Sequence, residues 1–321
     1  MDVLSKLEKG FLFFDGGMGT LLQARGLKPG EYPERGNISH PEIIVDIHKS
    51  YFDKGSNVVC ANTFGANILK FSEDELESII KAAISNARKA AKESVSEKEK
   101  FVALDIGPSG KLLKPLGDLD FEDAVALFAH TARLGAEAGA DGILIETMTD
   151  SYETKAALLA VKESCDLPVI VTNAYGSDGK LMTGATPAAM VALLEGMGVT
   201  ALGANCSMGP DLLAPVVEEL VACASVPVVV KPNAGLPVLR DGETVYDLSP
   251  EDFARLTAAF VRMGVRGVGG CCGTTPAYIK ALYEASREIP CKPLTQKNIT
   301  VVSSYTHGVT FGEIPLLIGE R

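Results

Sequence analysis

The chain has 321 residues, with 30 Lys and Arg against 41 Asp and Glu, which gives a formal net charge of −11. This acidic balance, without a basic block, argues against a nucleic-acid-binding protein, because phosphate contacts need clustered Lys and Arg. No apolar run approaches the roughly 20 residues of a membrane-spanning helix, and the N-terminus lacks a signal-peptide pattern. We therefore expect a cytoplasmic protein that binds neither nucleic acid nor a membrane.

Short apolar runs rich in β-branched residues recur along the chain and predict strands that are buried on both faces. In chain order they cover residues 11–17, 57–64, 100–108, 142–148, 168–175, 201–207, 227–235 and 267–274. Segments with helical periodicity alternate with them, at residues 41–55, 74–98, 121–139, 151–164, 187–197, 210–225, 250–264 and 276–287. Thr186-Pro187, Ser249-Pro250 and Thr275-Pro276 each predict a helix start, with a capping hydroxyl before a proline at the first helical position.

Eight strand–helix units predict an α/β fold of the (β/α)8 TIM barrel class over residues 1–290, followed by a C-terminal extension at 291–321. A doubly wound open sheet is the alternative. It would normally carry a glycine-rich phosphate turn after the first strand, and the sequence DGGMGT at 15–20 is not GxGxxG. The barrel is therefore the favoured fold.

Polar and glycine residues cluster where the predicted strands end. Active sites of such barrels lie at the C-terminal ends of the strands, so these residues are candidates for a site. We expect Asn62, Thr63 and Asn173 to line its pocket. The complete set, strand by strand, is Asp15-Gly16-Gly17, Asn62-Thr63, Asp105, Glu146, Asn173, Cys206, Asn233 and Cys271-Cys272.

Three of the seven cysteines follow strands that are close neighbours in a barrel. Cys206 ends the sixth strand, and Cys271 and Cys272 end the eighth, so their sulfurs can converge. Three thiolates suit Zn²⁺ and leave its fourth position open, as in a catalytic zinc site. Flanking glycines would let both adjacent cysteines turn inward. A packing role or a redox pair is the alternative for the vicinal cysteines.

The four histidines fall on predicted helices or in the tail, away from the strand ends. We therefore expect His40, His48, His130 and His307 to be solvated or capping residues rather than ligands.

Three thiolate ligands predict a particular chemistry. They donate charge to the metal and make it a poor activator of water, but a substrate thiol bound at the open position loses its proton and remains nucleophilic. The inferred reaction is alkylation of a thiol.

Four segments resemble the homocysteine S-methyltransferase family over about residues 8–288. They are DGGMGT at 15–20, ANTFGAN at 61–67, GANCSMGP at 203–210 and GGCCGTTP at 269–276. The resemblance implies a (β/α)8 barrel in which Cys206, Cys271 and Cys272 hold Zn²⁺. The thiolate of homocysteine would take the fourth position and attack a methyl group, with no catalytic residue beyond the metal site.

The same resemblance implies roles for further residues. Glu146, in IETMTD at 145–150, matches the residue that holds the amino group of homocysteine. Asn233, in KPNAG at 231–235, matches a residue that can occupy the open metal position before the substrate arrives. The substrate-contacting first loop of the family corresponds to Asp15, Gly16 and Gly17.

The methyl donor is inferred from the C-terminal stretch. Members of the family use betaine, S-methylmethionine, or methylcobalamin recharged from methyltetrahydrofolate. Residues 298–321 resemble the linker of cobalamin-dependent methionine synthases that leads to their folate-binding barrel, although this chain stops there. We therefore expect methylcobalamin as donor, with cobalamin-binding and folate-binding modules or subunits as partners of a fragment or a split subunit.

Betaine is less favoured, because a cage for a quaternary ammonium needs aromatic side chains and the chain has 8 Tyr, 12 Phe and no Trp. Two readings from other classes stay open. One is a non-catalytic zinc-bound scaffold that docks a corrinoid protein, and the other is a zinc-free lyase that uses Lys231 to form a Schiff base.

Overall fold

Eight parallel strands form a ring at the centre of the protein, which the computed structural model describes over residues 3–28, 30–240 and 243–312. Strands β1 to β7 and β10 are Leu12–Phe13, Val58–Cys60, Phe101–Ile106, Gly142–Met148, Val169–Asn173, Ala201–Asn205, Val228–Lys231 and Gly267–Val268. Their order is β1-β10-β7-β6-β5-β4-β3-β2, and a parallel bridge between Phe14 and Val58 joins β2 back to β1. The closed order confirms the (β/α)8 barrel and excludes the open sheet.

Eight helices follow the strands and pack around the ring. They are α4 (Pro41–Asp53), α5 (Glu73–Glu93), α6 (Phe121–Glu137), α7 (Ser151–Ser164), α8 (Pro187–Gly196), α9 (Pro210–Cys223), α10 (Pro250–Met263) and α11 (Pro276–Ser286). Each begins within one residue of its predicted start. Among the described residues, no helix is both long enough and apolar enough to cross a membrane.

Among the predicted helices, the largest boundary error concerns α5, which ends at Glu93 rather than at residue 98. The carboxylate of Asp53 explains the stop. It accepts hydrogen bonds from the Ser94 hydroxyl and the Val95 backbone N–H, at 2.7 Å and 2.9 Å, and turns the chain away from the helix.

Several short elements were not predicted. In the loop after β1 and at the N-terminus, they are α1 (Val3–Lys9), α2 (Met18–Ala24), a 3-10 turn at Pro33–Arg35, and α3 (Gly36–Ser39). Two antiparallel hairpins were also missed, β8 with β9 (Pro237–Arg240 and Glu243–Tyr246) and β11 with β12 (Thr300–Ser303 and Gly308–Phe311).

Two of the three predicted hydroxyl caps form. The Thr186 hydroxyl accepts from the Ala189 N–H, and the Ser249 hydroxyl accepts from the Asp252 N–H. Thr275 occupies the N-cap position of α11, but its hydroxyl makes no capping hydrogen bond.

The prediction for the histidines is wrong at His48. This side chain lies on the inner face of α4 and is fully buried, and neither ring nitrogen has a hydrogen-bond partner. Burial disfavours the charged ring and lowers the pKa of His48 to about 3. It acts as a neutral core residue, whereas His40 and His307 are exposed.

The C-terminal extension packs along the outside of the barrel as far as it is described. The guanidinium of Arg266 donates to the Lys292 carbonyl, and the Ser151 hydroxyl donates to the Tyr305 carbonyl at 2.6 Å. The β11–β12 hairpin, whose turn contains Tyr305, lies against α8. The rest of the predicted linker, residues 313–321, lies outside the described residues, and the boundary at 290 stays a prediction.

The interior of the barrel leaves no space beside Gly203 on β6. A Cβ at this position would lie 1.7 Å from the Val229 carbonyl oxygen. Because backbone atoms of a neighbouring strand cannot yield, Gly203→Ala is expected to lower the free energy of unfolding by about 3 kcal/mol or more, measured by urea denaturation. Gly196→Ala is the control, since nothing lies within 4 Å of its added Cβ at the end of α8. It should be neutral or stabilise the protein by about 0.5 kcal/mol. Equal stability of the two variants would contradict the close strand contact.

Candidate metal centre and substrate cavity

The barrel interior changes from apolar to polar toward the C-terminal ends of the strands. Alternate residues of a strand point to the same side. Leu144 and Val229 belong to the apolar cluster inside the ring, and two residues further along the same strands stand Glu146 and Lys231. These last two side chains are buried. We call the resulting ring of side chains the polar layer; it consists of Cys60, Asp105, Glu146, Thr172, Asn205 and Lys231.

A cavity of about 240 Å³ opens above the polar layer. Its wall includes most of the residues predicted for the site, namely Asp15, Gly16, Gly17, Asn62, Glu146, Cys206, Cys271 and Cys272. A larger cleft of about 470 Å³ lies between α2 and α4, but none of the predicted site residues lines it.

The three cysteines are brought together by the loops after β6 and β10. Cys206 has a φ of 61°, a left-handed conformation that turns its sulfur over the barrel mouth. Between the two loops lie the end of β7 and the residue that follows it. The Lys231 carbonyl at the end of β7 accepts from the Cys206 N–H at 3.0 Å, and the Pro232 carbonyl accepts from the Cys271 N–H at 2.9 Å. The continuation of β7 therefore fixes both cysteine loops relative to each other.

The sulfur atoms have the spacing of a tetrahedral metal site. All three Sγ atoms lie within 4.8 Å of one another, and those of Cys206 and Cys272 are 3.9 Å apart. Zn–S bonds of about 2.3 Å at tetrahedral angles place sulfurs about 3.8 Å apart. Among the described residues, this is the group whose ligand atoms converge in that way. The donor set and spacing fit a zinc ion with one position left for another ligand.

Both adjacent cysteines contribute because the backbone after them is irregular. Gly273 has a φ of 79°, which a residue with a Cβ rarely adopts. A Cβ there would lie 2.3 Å from the ring of Tyr246, which belongs to the β8–β9 hairpin. The chain thus bends sharply after Cys272 and packs under this hairpin.

Mutual hydrogen bonding sets the charge of the sulfur cluster. Donation from the Cys271 and Cys272 thiols holds the pKa of Cys206 well below its usual range. The same contacts raise the pKa of Cys271 and of Cys272. The mutual contacts favour a negative charge within the cluster, and a divalent metal would replace the remaining thiol protons.

A buried ion-pair cluster forms one wall of the cavity. The Lys231 ammonium lies 2.7 Å from the Glu146 Oε2, 3.8 Å from the Asp15 Oδ1 and 3.3 Å from the Cys60 sulfur. The other carboxylate oxygen of Asp15 accepts from the Cys60 backbone N–H at 2.8 Å. Three carboxyl groups, counting Asp105, thus surround one ammonium, and the wall has an excess of acidic groups.

The ionisation of this wall follows from its burial and its one cation. Burial, opposed by Lys231, raises the pKa of Asp15 to about 6. Burial and the neighbouring Glu146 raise the pKa of Asp105 well above its usual value. Burial alone would lower the pKa of Lys231, but the surrounding acidic groups outweigh it and raise this pKa. A Schiff-base lysine needs a lowered pKa, so the environment of Lys231 contradicts the lyase reading.

The first loop lies close against the loop after β10. A Cβ on Gly16 would be 2.5 Å from the Thr274 hydroxyl, and one on Gly17 would be 2.9 Å from the Cys271 carbonyl. The two glycines therefore let Asp15 and the sulfur cluster share one cavity. Asn62 also borders this cavity and donates to the Pro33 carbonyl at 2.8 Å.

Three predicted residues do not line the cavity. The Asn233 side-chain oxygen accepts from the Cys272 N–H at 3.1 Å and so holds the loop that carries this cysteine. Thr63 donates its hydroxyl to the Asp105 carbonyl. Asn173 donates to the Met148 carbonyl at 3.2 Å. All three side chains are buried, and these contacts hold the loops that carry the cavity residues.

Sequence reasoning missed Thr172 and Asn205, gave no site role to Cys60, and named Asp105 only as a strand-end candidate without a specific role. The alternation of residues along the strands was the available signal. A polar side chain stands two residues after Ile170 and again two residues after Gly203. At a spacing of two, such residues share the interior face of a barrel strand.

Comparison with known proteins identifies the relatives of this chain. The sequence matches the family model described as homocysteine S-methyltransferase over residues 12–286. The methionine synthase of Mycobacterium tuberculosis is 33% identical over all of this chain, and that of Mycobacterium leprae is 31% identical. The chain spans 28% of the length of each of these relatives.

Solved structures give the same grouping. The homocysteine methyltransferase MmuM from Escherichia coli superposes in its metallated form with a TM-score of 0.74 at 25% identity. Its apo form gives a TM-score of 0.70 at 26% identity. In both cases the match covers 87% of this chain and 97% of the other.

Proposed function

Because the chain belongs to the homocysteine S-methyltransferase family, we propose that it transfers a methyl group to the sulfur of homocysteine and forms methionine. The convergence of the Cys206, Cys271 and Cys272 sulfurs on one point of the cavity carries this proposal. The relatives and the solved neighbours are named for the same chemistry. The 240 Å³ cavity suits a small amino acid.

The three cysteines would hold a zinc ion, and their contacts prepare them for it. Bound zinc would lower the pKa of a coordinated substrate thiol, so that its sulfur is a thiolate at neutral pH. The chain after β7 keeps the sulfur positions fixed through the Cys206, Cys271 and Cys272 backbone N–H groups. Asn233 serves this alignment as an acceptor, and it could also approach the metal when no substrate is present.

The ion-pair wall would bind the amino-acid end of the substrate. The amino group of homocysteine is positively charged, and the acidic groups of Glu146 and Asp15, which line the cavity, would attract it in competition with the cation Lys231. Gly16 and Gly17 leave room for close approach to the first loop. Held at both ends, the substrate sulfur would point out of the barrel mouth toward an incoming methyl carbon, and this alignment supplies much of the rate.

The proposed methyl donor is methylcobalamin, recharged from methyltetrahydrofolate and carried by another module or protein. The support is that methionine synthases match the chain over its whole length, including the tail, whereas the MmuM structures cover 87% of it. Betaine and S-methylmethionine are the alternative donors. Zinc-loaded protein would be supplied with each donor in turn, and the donor that it uses should yield methionine. If no donor yields methionine, the docking scaffold would be favoured.

Metal content and proton release test the central step. We expect about one zinc per chain after purification with a reductant. Homocysteine added in weak buffer at pH 7 should release about one proton per chain, because a free thiol with a pKa near 8.5 becomes a bound thiolate. Serine, which has a hydroxyl in place of the thiol, is the control and should release none. A chain that binds no zinc would refute the proposal.

A further inference from the structure

Backbone strain in the described part of the chain is concentrated at the candidate site. The non-glycine residues with positive φ are Thr147, Cys206 and Ser207, at 62°, 61° and 60°. For a β-branched residue such as Thr147 this conformation is strained. It coincides with an irregularity in the pairing of β4 with β5 between Ile145 and Met148. The strained turn directly follows Glu146.

One side chain holds the strained turn. The Asn205 Oδ1 accepts from the Thr147 backbone N–H at 2.8 Å, and the Asn205 Nδ2 donates to the Thr147 hydroxyl at 2.8 Å. Thr172 adds a hydrogen bond from its hydroxyl to the same Oδ1 at 2.7 Å. Because a backbone N–H can only donate, the amide atom that faces it must be the oxygen, which fixes the orientation of the amide.

The same amide also reaches the sulfur cluster. With its oxygen facing Thr147 and Thr172, the NH2 group of Asn205 has a second hydrogen available. Its Nδ2 lies 3.8 Å from the Cys271 sulfur. Asn205 is fully buried, so these contacts are shielded from water. Groups that hydrogen-bond to a metal ligand commonly tune the ligand and its orientation.

We propose that Asn205 is a positioning residue that couples the amino-acid end of the cavity to the metal end. It holds the turn that orients Glu146 toward the substrate. It also donates a hydrogen bond to the Cys271 sulfur, which reduces the negative charge on that ligand. The role in substrate selection rests on the proposed function, whereas the hydrogen bond to sulfur does not. Asn205 touches neither the substrate nor the reacting atoms.

Asn205→Asp and Asn205→Ala separate the two contacts. The aspartate keeps an acceptor for Thr147 but lacks the NH2 donor, and the alanine loses both. In protein loaded with Co²⁺ and without substrate, both variants should shift the sulfur-to-cobalt charge-transfer band to longer wavelength. The reason is that a Cys271 thiolate without the Asn205 hydrogen bond transfers charge to the metal more easily. Asn57→Asp is the matched control, since Asn57 is also buried and bridges Phe13 and Glu99 at the opposite end of the barrel. It should leave the band unchanged.

The second readout is selectivity for the amino group. We compare the dissociation constants of homocysteine and 4-mercaptobutanoate, which lacks that group. Asn205→Ala should lower the preference for homocysteine about tenfold, because the turn that follows Glu146 loses the two hydrogen bonds that hold it. Asn205→Asp should lower it less.

Thr172→Val keeps the test decisive if the Asn205 variants do not fold. It removes only the hydroxyl that orients the amide, and it should shift the band in the same direction by a smaller amount. A band and a preference that match the wild type in all folded variants would overturn the proposal. If the wild type binds neither thiol, the proposed function fails, while the cobalt band still tests the Asn205–Cys271 contact.

Discussion

Cys272→Ala is expected to reduce bound zinc from about one ion per chain to a small fraction and to abolish methyl transfer. A structural zinc site has a binding free energy of roughly 10–16 kcal/mol, of which each ligand contributes about 3 kcal/mol. Removal of one sulfur should therefore lower the affinity for zinc by at least about 100-fold. The Cys272 sulfur lies 3.9 Å from that of Cys206, so its removal leaves two thiols, too few to enclose the ion. Cys206→Ser should have the same effect.

The barrel itself should survive these substitutions. Cys206 and Cys272 are only partly buried, and neither packs in the hydrophobic core. Cys223→Ala on α9 is the matched control, because this thiol is also half-buried but lies outside the cluster. Metal analysis, circular dichroism and urea denaturation would compare the three variants. Full zinc content in a folded Cys206 or Cys272 variant would show that the cluster is not the metal site.

The fold could be predicted because a parallel barrel repeats one signal. Each strand is a short β-branched run buried on both faces, and each helix shows the 3.6-residue period, as in α10 with its proline start and serine cap. The elements that escaped prediction lack such periods. The helix α2 is only seven residues long, and the β8–β9 hairpin lies at the surface. An Asp-Gly pair between these two strands, at 241–242, was the available hairpin signal in the sequence.

The metal end of the site was easier to predict than the rest. Three thiols at two strand ends carry their chemistry in the residue type, and a barrel brings those ends together. The residue types of the polar layer do not indicate a particular chemistry. Asn205 on β6 contacts Thr147 on β4 and Cys271 after β10, each across one intervening strand, and these contacts depend on strand register and on backbone strain at Thr147. Neither feature can be read from local sequence.

Lys231→Met is expected to lower the free energy of unfolding by about 3–5 kcal/mol, because it leaves buried carboxylates without their cation. The carboxylate of Glu146 loses a contact of 2.7 Å, and Asp15 loses a positive charge that lies 3.8 Å from its Oδ1. Removing one carboxylate should reduce the uncompensated negative charge that the loss of Lys231 leaves in the wall. The double variant Lys231→Met/Glu146→Gln is therefore expected to recover a large part of the lost stability in urea denaturation, a coupling that a double-mutant cycle measures directly.

The pH dependence of that loss identifies its electrostatic origin. The pKa of Asp15 is already raised to about 6 in the folded protein, from 3.8, so its ionisation opposes folding as pH rises through that range. Without Lys231 the ionisation of Asp15 destabilises the folded protein more strongly. The free energy of unfolding of the variant should therefore differ least from that of the wild type at pH 5 and most at pH 8. A loss of stability that is equal at both pH values and that persists in the double variant would mean that Lys231 contributes only its packed side-chain stem. In that case the acidic wall would carry little charge, and its proposed role in binding the amino group of homocysteine would lose its physical basis.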